Sequence, residues 1–414
     1  MPIMTTQKRT CRWAALSLST IAETFLPDLL LPRAESDNID HKLVGVSTRG
    51  SKEKATEWLV KQKIPDHEAV QYYNSWETLL QEGDFDVGLL YIPTLEDLTL
   101  TFGQVYISTP HPLHYEHVLK ALNCKRNVLV EKPATMNAAQ FTELAKVARR
   151  NGVVLMEAMW TRYLPAATFF KEELLPTIGE VKRVYADFSF PIVSSDLSHE
   201  SRFLDKNAGA GSLLDQGVYA LTWADLALHG TDSASSTTTK VISANSMSVP
   251  GVSGEVDDID TVILSRQDKK SNKQNAVGIV TTSMTLPGSS KPPFYNRLQA
   301  KKAAPSVRIE ATKACVSIPF PPIRPEELHV QWYDSEHLDG EGMETEQVIK
   351  KPVERGWGIW YQADVIAKRV LERQSQQGEE GEVSGEAETL RVLGWMDEAR
   401  KQAGIEYPAQ LDEM

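Results

Sequence analysis

The sequence predicts an α/β fold class: a doubly wound parallel sheet first, then an α+β domain with a large, mostly antiparallel sheet. Three observations predict it. Up to about residue 156, strand-sized apolar runs alternate with helix-period segments. Beyond Arg162 the texture changes to consecutive strand material. Helix-period segments at Asp364–Arg373 and Glu386–Gly404 close the chain. Strand–helix–strand units of this kind are right-handed and build a parallel sheet.

In the first part, Cys11–Ser17 is a short buried strand. Thr20–Leu31 follows with Ile21, Phe25, Leu29 and Leu30 on one helix face. Lys42–Ser47 is a strand, Lys52–Lys63 a helix and Trp76–Glu82 a short helix. Val105–Ser108 is a strand, and Pro112 opens a helix to Leu122, where its missing amide costs nothing. Asn127–Val130 is a strand; Asn137 caps a helix over Ala138–Arg150, Gly152 stops it, and Val153–Met156 is the last strand of the series. Val181–Phe190, Val241–Val249, Thr261–Arg266, Ala276–Leu286, Ser306–Ala311 and Ala314–Ile318 supply the second sheet. Gln374–Gly385 is polar and glycine-rich and reads as a surface loop.

A length of 414 residues holds two domains of ordinary size, and a 41% hydrophobic share allows each a core. A net charge of −12 argues against nucleic acid or an anionic membrane as the main partner. Cys11, Cys124 and Cys315 are too sparse for a disulfide framework, which fits a reducing compartment. Met1–Arg12 lacks the apolar core of a signal peptide, and no apolar stretch nears the ~20 residues that span a bilayer. The expectation is a cytoplasmic protein. His111, His114 and His117 walk around a helix instead of converging, so no metal is expected.

Three segments carry a sharper signal: VLVEKPATMN (Val128–Asn137), LMEAMWTRYLPA (Leu155–Ala166) and GAGSLLDQGVYALTW (Gly209–Trp223). In this order and spacing the chain resembles the glucose–fructose oxidoreductase/inositol dehydrogenase (Gfo/Idh/MocA) family. Within it the resemblance is to the branch of dimeric dihydrodiol dehydrogenase and fungal NADP-dependent D-xylose 1-dehydrogenase. It runs from about Arg12 to Pro408. It implies a Rossmann NADP-binding domain over 1–157, a substrate-binding and dimerisation domain over 158–414, and a homodimer.

Lys132 closes a strand at the carboxyl edge of the sheet, where ligands bind in open α/β folds. The resemblance places it beside nicotinamide and substrate, with Glu131 at the cofactor. It places Tyr219 over the substrate as proton donor and acceptor. A phenol has a reference pKa of about 10, so catalysis at neutral pH needs a nearby cation, and Lys132 is the candidate. Asp215 lies one helical turn before Tyr219, on the same face. Trp160 and Arg162 are implied near the cofactor, Arg162 and Tyr163 near the substrate. Thr109, Pro110, His111 and His114 match the family's strand-to-helix turn beside the cofactor.

The chain departs from the family twice. Where GxGxxG/A is expected after the first strand, Ser17 and Ser19 replace the first two glycines, Ala22 the third, with Thr20 and Ile21 between. Serine stays small and offers a hydroxyl donor to phosphate. After the second strand no acid stands ready for a ribose diol; Arg49 with Ser47, Thr48 or Ser51 suits a 2′-phosphate, favouring NADP. The second departure is an insertion, Gly88–Gln104, whose removal joins Asp86-Val87 to Val105-Tyr106 and restores a family-like strand. A retained intron and a genuine loop both account for it.

The expected activity is hydride transfer between NADP(H) and a hydroxyl-bearing carbon of a sugar such as D-xylose, or of a cyclic trans-diol. Tyr219 moves the proton, Lys132 tunes and orients, and Asp215 holds the hydroxyl network. Two other readings stand beside it: a non-redox enzyme of secondary metabolism derived from this fold, and a non-catalytic NADP sensor.

Overall fold

The computed structural model describes residues 9–32, 39–83, 101–193, 197–198, 201–230, 236–252, 255–290, 304–333, 345–375 and 383–413. They form two compact units, each with its own sheet. The first runs to Ala134 and takes in Ala139–Trp160 and Glu354–Glu386; the second holds Thr135–Ala138, Thr161–Val353 and the chain from Ala387.

The first sheet contains β1 (Arg9–Leu16), β2 (Ile39–Ser47), β3 (Gln71–Tyr73), β4 (Thr101–Ile107), β5 (Asn127–Glu131) and β6 (Leu155–Ala158). Their order is β3-β2-β1-β4-β5-β6, every neighbouring pair parallel. Helices α1 (Ala22–Leu29), α2 (Lys52–Lys61), α3 (Trp76–Glu82), α4 (His114–Asn123) and α5 (Ala138–Asn151) lie between them in sequence. The strand order reverses between β1 and β4, the switch point at which such sheets bind ligands. Central strands are apolar on both faces, as at Trp13, Ala14 and Ala15, because helices cover both sides of a parallel sheet.

β4 begins at Thr101, so the insertion expected over Gly88–Gln104 ends in strand. Thr101–Gln104 pair with Thr10–Trp13, and Gln104 also pairs with Asn127. Residues 88–100 lie outside the described residues. Helix α1 is shorter than the expected Thr20–Leu31, since Thr20 and Ile21 belong to the turn that enters it.

The second sheet contains β7 (Val181–Ser189), β8 (Thr237–Ser248), β9 (Asp257–Asp268), β10 (Gln274–Ser283), β11 (Val307–Ala311), β12 (Ala314–Ile318), β13 (Glu327–Trp332) and β14 (Thr345–Lys350). Their order is β14-β13-β12-β11-β7-β10-β9-β8; the β7–β10 pair is parallel and the others are antiparallel. After the short α6 (Pro165–Phe169), the central helix α7 (Val218–His229) packs on β7 and β10. Every residue of α7 is buried, so it presents no solvent face, and its polar residues Thr222, Asp225 and His229 are met by hydrogen bonds or an ion pair.

The chain then forms α8 (Trp360–Ser375), a two-residue strand β15 (Val383–Ser384), α9 (Glu386–Ala403) and α10 (Ala409–Asp412). The sequence placed 354–386 with the second domain; the structure groups it with the first. Two sets of hydrogen bonds tie this segment to the first unit. Asp28 of α1 accepts the amides of Trp357 (2.7 Å) and Trp360 (3.3 Å), capping α8. Trp13 Nε1 donates to His41 Nδ1 at 2.8 Å, and His41 Nε2 lies 2.9 Å from Asp364 Oδ1. Val383–Ser384, read from sequence as loop, pairs with β6 at the sheet edge; residues 376–382 lie outside the described residues.

Candidate active site

In the first unit the expected residues gather at the carboxyl ends of β1, β4 and β5. Ser17, directly after β1, has φ +86°, the left-handed region that glycine usually supplies. Its amide donates to Ser47 O (2.8 Å), and its carbonyl accepts from Ser108 Oγ (3.3 Å). The turn thus keeps a glycine-like backbone without the glycine. Ser19 Oγ accepts the Ala22 amide at 3.4 Å, a loose cap on the first turn of α1. Thr20 and Ile21 complete the turn. Beyond β2, Ser47 is buried, Thr48 half-buried and Arg49 exposed. Ser51 caps α2 by accepting the Lys54 amide, and Tyr72 Oη donates to Gly50 O at 2.7 Å, fixing the loop that carries Arg49.

Thr109, Pro110 and His111 form the turn after β4. His114 is fully buried, its Nε2 2.7 Å from Thr109 O and its Nδ1 2.8 Å from Pro133 O. A neutral imidazole can donate to one of these carbonyls only. Burial lowers its pKa to about 4, with the two carbonyls opposing the shift. His117 Nδ1 lies 3.0 Å from Thr109 Oγ1, and its ring meets Trp76. His114 and His117 thus both turn toward Thr109.

The turn Glu131-Lys132-Pro133-Ala134 is held by buried side chains. Glu131 Oε2 accepts the Lys132 amide (3.2 Å), and Glu157 Oε1 of β6 accepts the Ala134 amide (3.1 Å). Glu131 Oε1 accepts the Tyr106 hydroxyl at 2.8 Å. Burial pushes the Glu131 carboxyl up to about 7, against the Tyr106 bond and the Lys132 charge. Glu131 is only 5% exposed, and its two carboxyl oxygens take the Tyr106 hydroxyl and the Lys132 amide.

In the second unit Asp215 and Tyr219 are both buried. Asp215 sits in a wider, π-type turn (Leu213–Gly217) that leads into α7, a feature frequent at functional sites. Arg202 Nη1 lies 3.1 Å from Asp215 Oδ2. The Tyr219 ring meets Phe188 edge-on at 5.6 Å. Asp257 Oδ2 accepts the Leu213 amide (2.9 Å) and so holds the start of that turn. Gly211 approaches Asp257 so closely that a Cβ would lie 2.1 Å from its Oδ1, at φ +149°; only glycine fits. Burial raises the carboxyls of both Asp257 and Asp260.

Trp160 is buried at the end of the first unit and Tyr163 half-buried in the second. Arg162 is 9% exposed; its Nη1 donates to Thr389 (3.2 Å) among the charges of Asp225 and Glu388. Sequence reasoning missed Tyr106, Glu157, Arg202 and Asp257. Tyr106 stood in a predicted strand as a polar residue at a position that should be buried, and Glu157 directly followed one, in a strand that the structure extends to Ala158; that was the available signal. Arg202 and Asp257 carried none.

Two family models match the chain. Residues 20–159 match that of an oxidoreductase family with an NAD-binding Rossmann fold, and residues 176–314 match the Gfo/Idh/MocA C-terminal domain. A D-xylose 1-dehydrogenase (NADP+) from Hypocrea jecorina is 28% identical over 411 residues, covering 96% of this chain and 93% of its own. A trans-1,2-dihydrobenzene-1,2-diol dehydrogenase from Xenopus tropicalis is 27% identical over 404 residues, covering 96% and 99%. Among solved structures, a 3-ketoreductase from Actinomadura kijaniata in complex with NADP and TDP-benzene superposes with a TM-score of 0.67 at 18% identity, covering 95% of this chain and 98% of its own. An aldose–aldose oxidoreductase from Caulobacter crescentus gives 0.66 at 18% identity, covering 96% and 98%. Both structural likenesses concern the fold. With matching models for both domains and full-length relatives, the chain belongs to the Gfo/Idh/MocA family of oxidoreductases.

Proposed function

We propose that this protein is an NADP-dependent dehydrogenase acting on a hydroxyl-bearing carbon of a sugar such as D-xylose, or of a cyclic trans-diol. The observation that carries the proposal is the carboxyl edge of the first sheet. At its switch point Ser17, the Thr109 turn and Lys132 come together on fixed backbone. The residues present fit the cofactor. Ser17 keeps the left-handed backbone of the missing glycine, and Arg49 stands exposed past β2 beside Thr48. This supports the redox reading over a non-redox enzyme, for which the serine substitutions were the motive.

NADP(H), when bound, supplies or accepts the hydride. Arg49 pairs with the 2′-phosphate, and the loop from Ser17 to Ile21 takes the pyrophosphate. Lys132 donates to the reacting oxygen and holds it for transfer. Tyr219 takes the hydroxyl proton during oxidation and returns it during reduction, and Asp215, fixed by Arg202, orders the hydroxyl network. Tyr163 contributes to substrate contact.

A homodimer is part of the same proposal. Across the second sheet, Ser243, Ile263, Ile279, Tyr185, Arg308, Ser317, His329 and Val348 stand in one register row. Ile263, Ile279 and Tyr185 are only half-buried in the single chain, which suits a second copy. A cytoplasmic location is proposed from the sparse, unbridged cysteines.

The test is cofactor titration followed by turnover with D-xylose and a trans-dihydrodiol. Arg49→Ala is expected to weaken NADPH by roughly 1.5–3 kcal/mol, the size of a charge-assisted bond, and to spare NADH. Tyr219→Phe is expected to lower turnover about 10²–10⁴-fold with NADPH affinity kept. A parent protein that binds no NADPH at high concentration ends the redox proposal.

A further inference from the structure

We propose that Glu131 is a proton-exchanging positioning residue for Lys132. Its carboxyl is gripped by Tyr106 on one oxygen and by the Lys132 amide on the other, so gain or loss of one proton resets the charge beside the lysine. The inference rests on the dehydrogenase reading for its purpose, since it concerns the lysine assigned to orient the substrate. Its geometry is independent of that reading.

The Lys132-Pro133-Ala134 turn has two backbone amides, because proline has none. Both are accepted by buried carboxyl groups on adjacent strands, Lys132 N by Glu131 at 3.2 Å and Ala134 N by Glu157 at 3.1 Å. The carbonyl of Pro133 meets His114 at 2.8 Å. Buried side chains thus satisfy the turn's backbone and fix the point from which the Lys132 side chain springs. Glu131 has a further partner, the Tyr106 hydroxyl at 2.8 Å, from a ring wedged against Phe25 with centroids 4.1 Å apart. Tyr106 and Glu131 are both buried, so the hydroxyl is held in place.

The charged and titratable groups facing Glu131 are Tyr106 from β4, Lys132 beside it and Glu157 from β6; His114 faces Lys132 from α4. Tyr106 and Lys132 favour the ionised carboxylate, while burial and Glu157 oppose it. The balance leaves Glu131 with a pKa of about 7. Below that point the carboxyl is neutral and adds no charge beside Lys132. Above it the proton has left to solvent, and a carboxylate lies next to the lysine. The tyrosine hydroxyl favours the ionised carboxylate and so holds the crossover below where burial alone would put it.

The test uses full-length protein whose lysines carry ¹³C-dimethyl labels, with Lys132 assigned by the Lys132→Arg variant. The Lys132 resonance is followed from pH 5.5 to 9. It is expected to show an inflection near pH 7 from the Glu131 charge. Tyr106→Phe removes a donor to the carboxylate and is expected to move that inflection up by roughly one pH unit. Glu131→Gln is expected to abolish it. An inflection that persists in Glu131→Gln, or that Tyr106→Phe leaves in place, overturns the proposal. If Glu131→Gln does not fold, Tyr106→Phe and the ¹³C-carboxyl titration of glutamate in the parent decide the matter, a Glu131 signal flat around neutrality being the adverse result. Loss of the dehydrogenase reading shows separately, as absent turnover with D-xylose and trans-diols beside a normal inflection.

Discussion

At the scale of single residues, the altered glycine loop and the lysine turn carry opposite lessons. Ser17 holds φ +86°, where an L side chain costs roughly 1–2 kcal/mol and glycine does not. Part of that is offset by glycine's greater freedom in the unfolded chain. Ser17→Gly is therefore expected to raise stability by up to about 1 kcal/mol in urea unfolding; a loss of stability would show that the serine side chain is needed. The turn itself was legible in the sequence, because serine at the glycine position of a strand-to-helix turn implies the same backbone. What Glu131 does was not, since its partner Tyr106 is 25 residues away and chosen by strand order. Two shifted groups also give a pH signature. Glu131 is raised from 4.5 to about 7, so its contribution to stability is full below pH 4.5 and is lost as pH rises toward 7. His114 is lowered from 6.5 to about 4, so its contribution is full above pH 6.5 and is lost as pH falls. The slopes oppose one another between pH 4.5 and 6.5. Relative to the parent, Glu131→Gln should gain stability with rising pH over that span and His114→Gln should lose it, each on the order of 3 kcal/mol. Urea midpoints at the two ends check this, and slopes of the same sign in both variants would count against the assignments.

At the scale of elements, the legible ones are those with a clear period. Most strands of the first sheet are short apolar runs between helices; β3, three residues that are exposed or half-buried, has no such period and was not found. β13 and β14 were not found. Val348 and its neighbours on β14 are largely exposed at the sheet edge, so that strand shows little apolar alternation. β15 escaped because two residues in a polar, glycine-rich stretch have no period at all. Helix α8 was found near its true limits, yet its allegiance to the first unit was invisible, because that depends on Asp28 from α1. Asp28 sits inside a predicted helix beside Pro27, and its burial had no local signal. Its oxygens take the amides of Trp357 and Trp360, and a Cβ on Gly356 would collide with it. Asp28→Ala leaves these amides without the side-chain cap and is expected to cost about 1–2 kcal/mol. Hydrogen exchange should then rise first at the start of α8, whereas uniform acceleration across the first unit would argue for a general packing defect.

At the scale of the whole molecule, the two-domain family architecture was legible because three motifs fell in order at family spacing. Deleting Gly88–Gln104 removes the described strand segment Thr101–Gln104 as well, so a naive expectation is a broken sheet. The register argues otherwise. Joining Val87 to Val105 puts Val87 in the position of Gln104 and Phe85 in that of Phe102, so the strand is rebuilt from its own flank. Gln104 is fully buried between β1 and β5; its Nε2 donates to Cys11 Sγ at 3.3 Å, and among the described residues its Oε1 has no hydrogen-bond partner. A buried, unsatisfied carbonyl costs about 1–3 kcal/mol, and valine at the same place removes it while adding a β-branched residue to a central parallel strand. The shortened chain also has fewer residues to order between α3 and β4, although loop length alone has a small effect. The deletion variant is therefore expected to fold, to unfold at a urea midpoint equal to or above that of the parent, and to bind NADPH at least as well, since Thr109 and Lys132 hang from the same rebuilt strand and its neighbour. A lower midpoint with weakened NADPH binding would mean that the segment belongs to the working protein. The retained-intron explanation also has a direct check: the mature transcript should lack the codons for Gly88–Gln104.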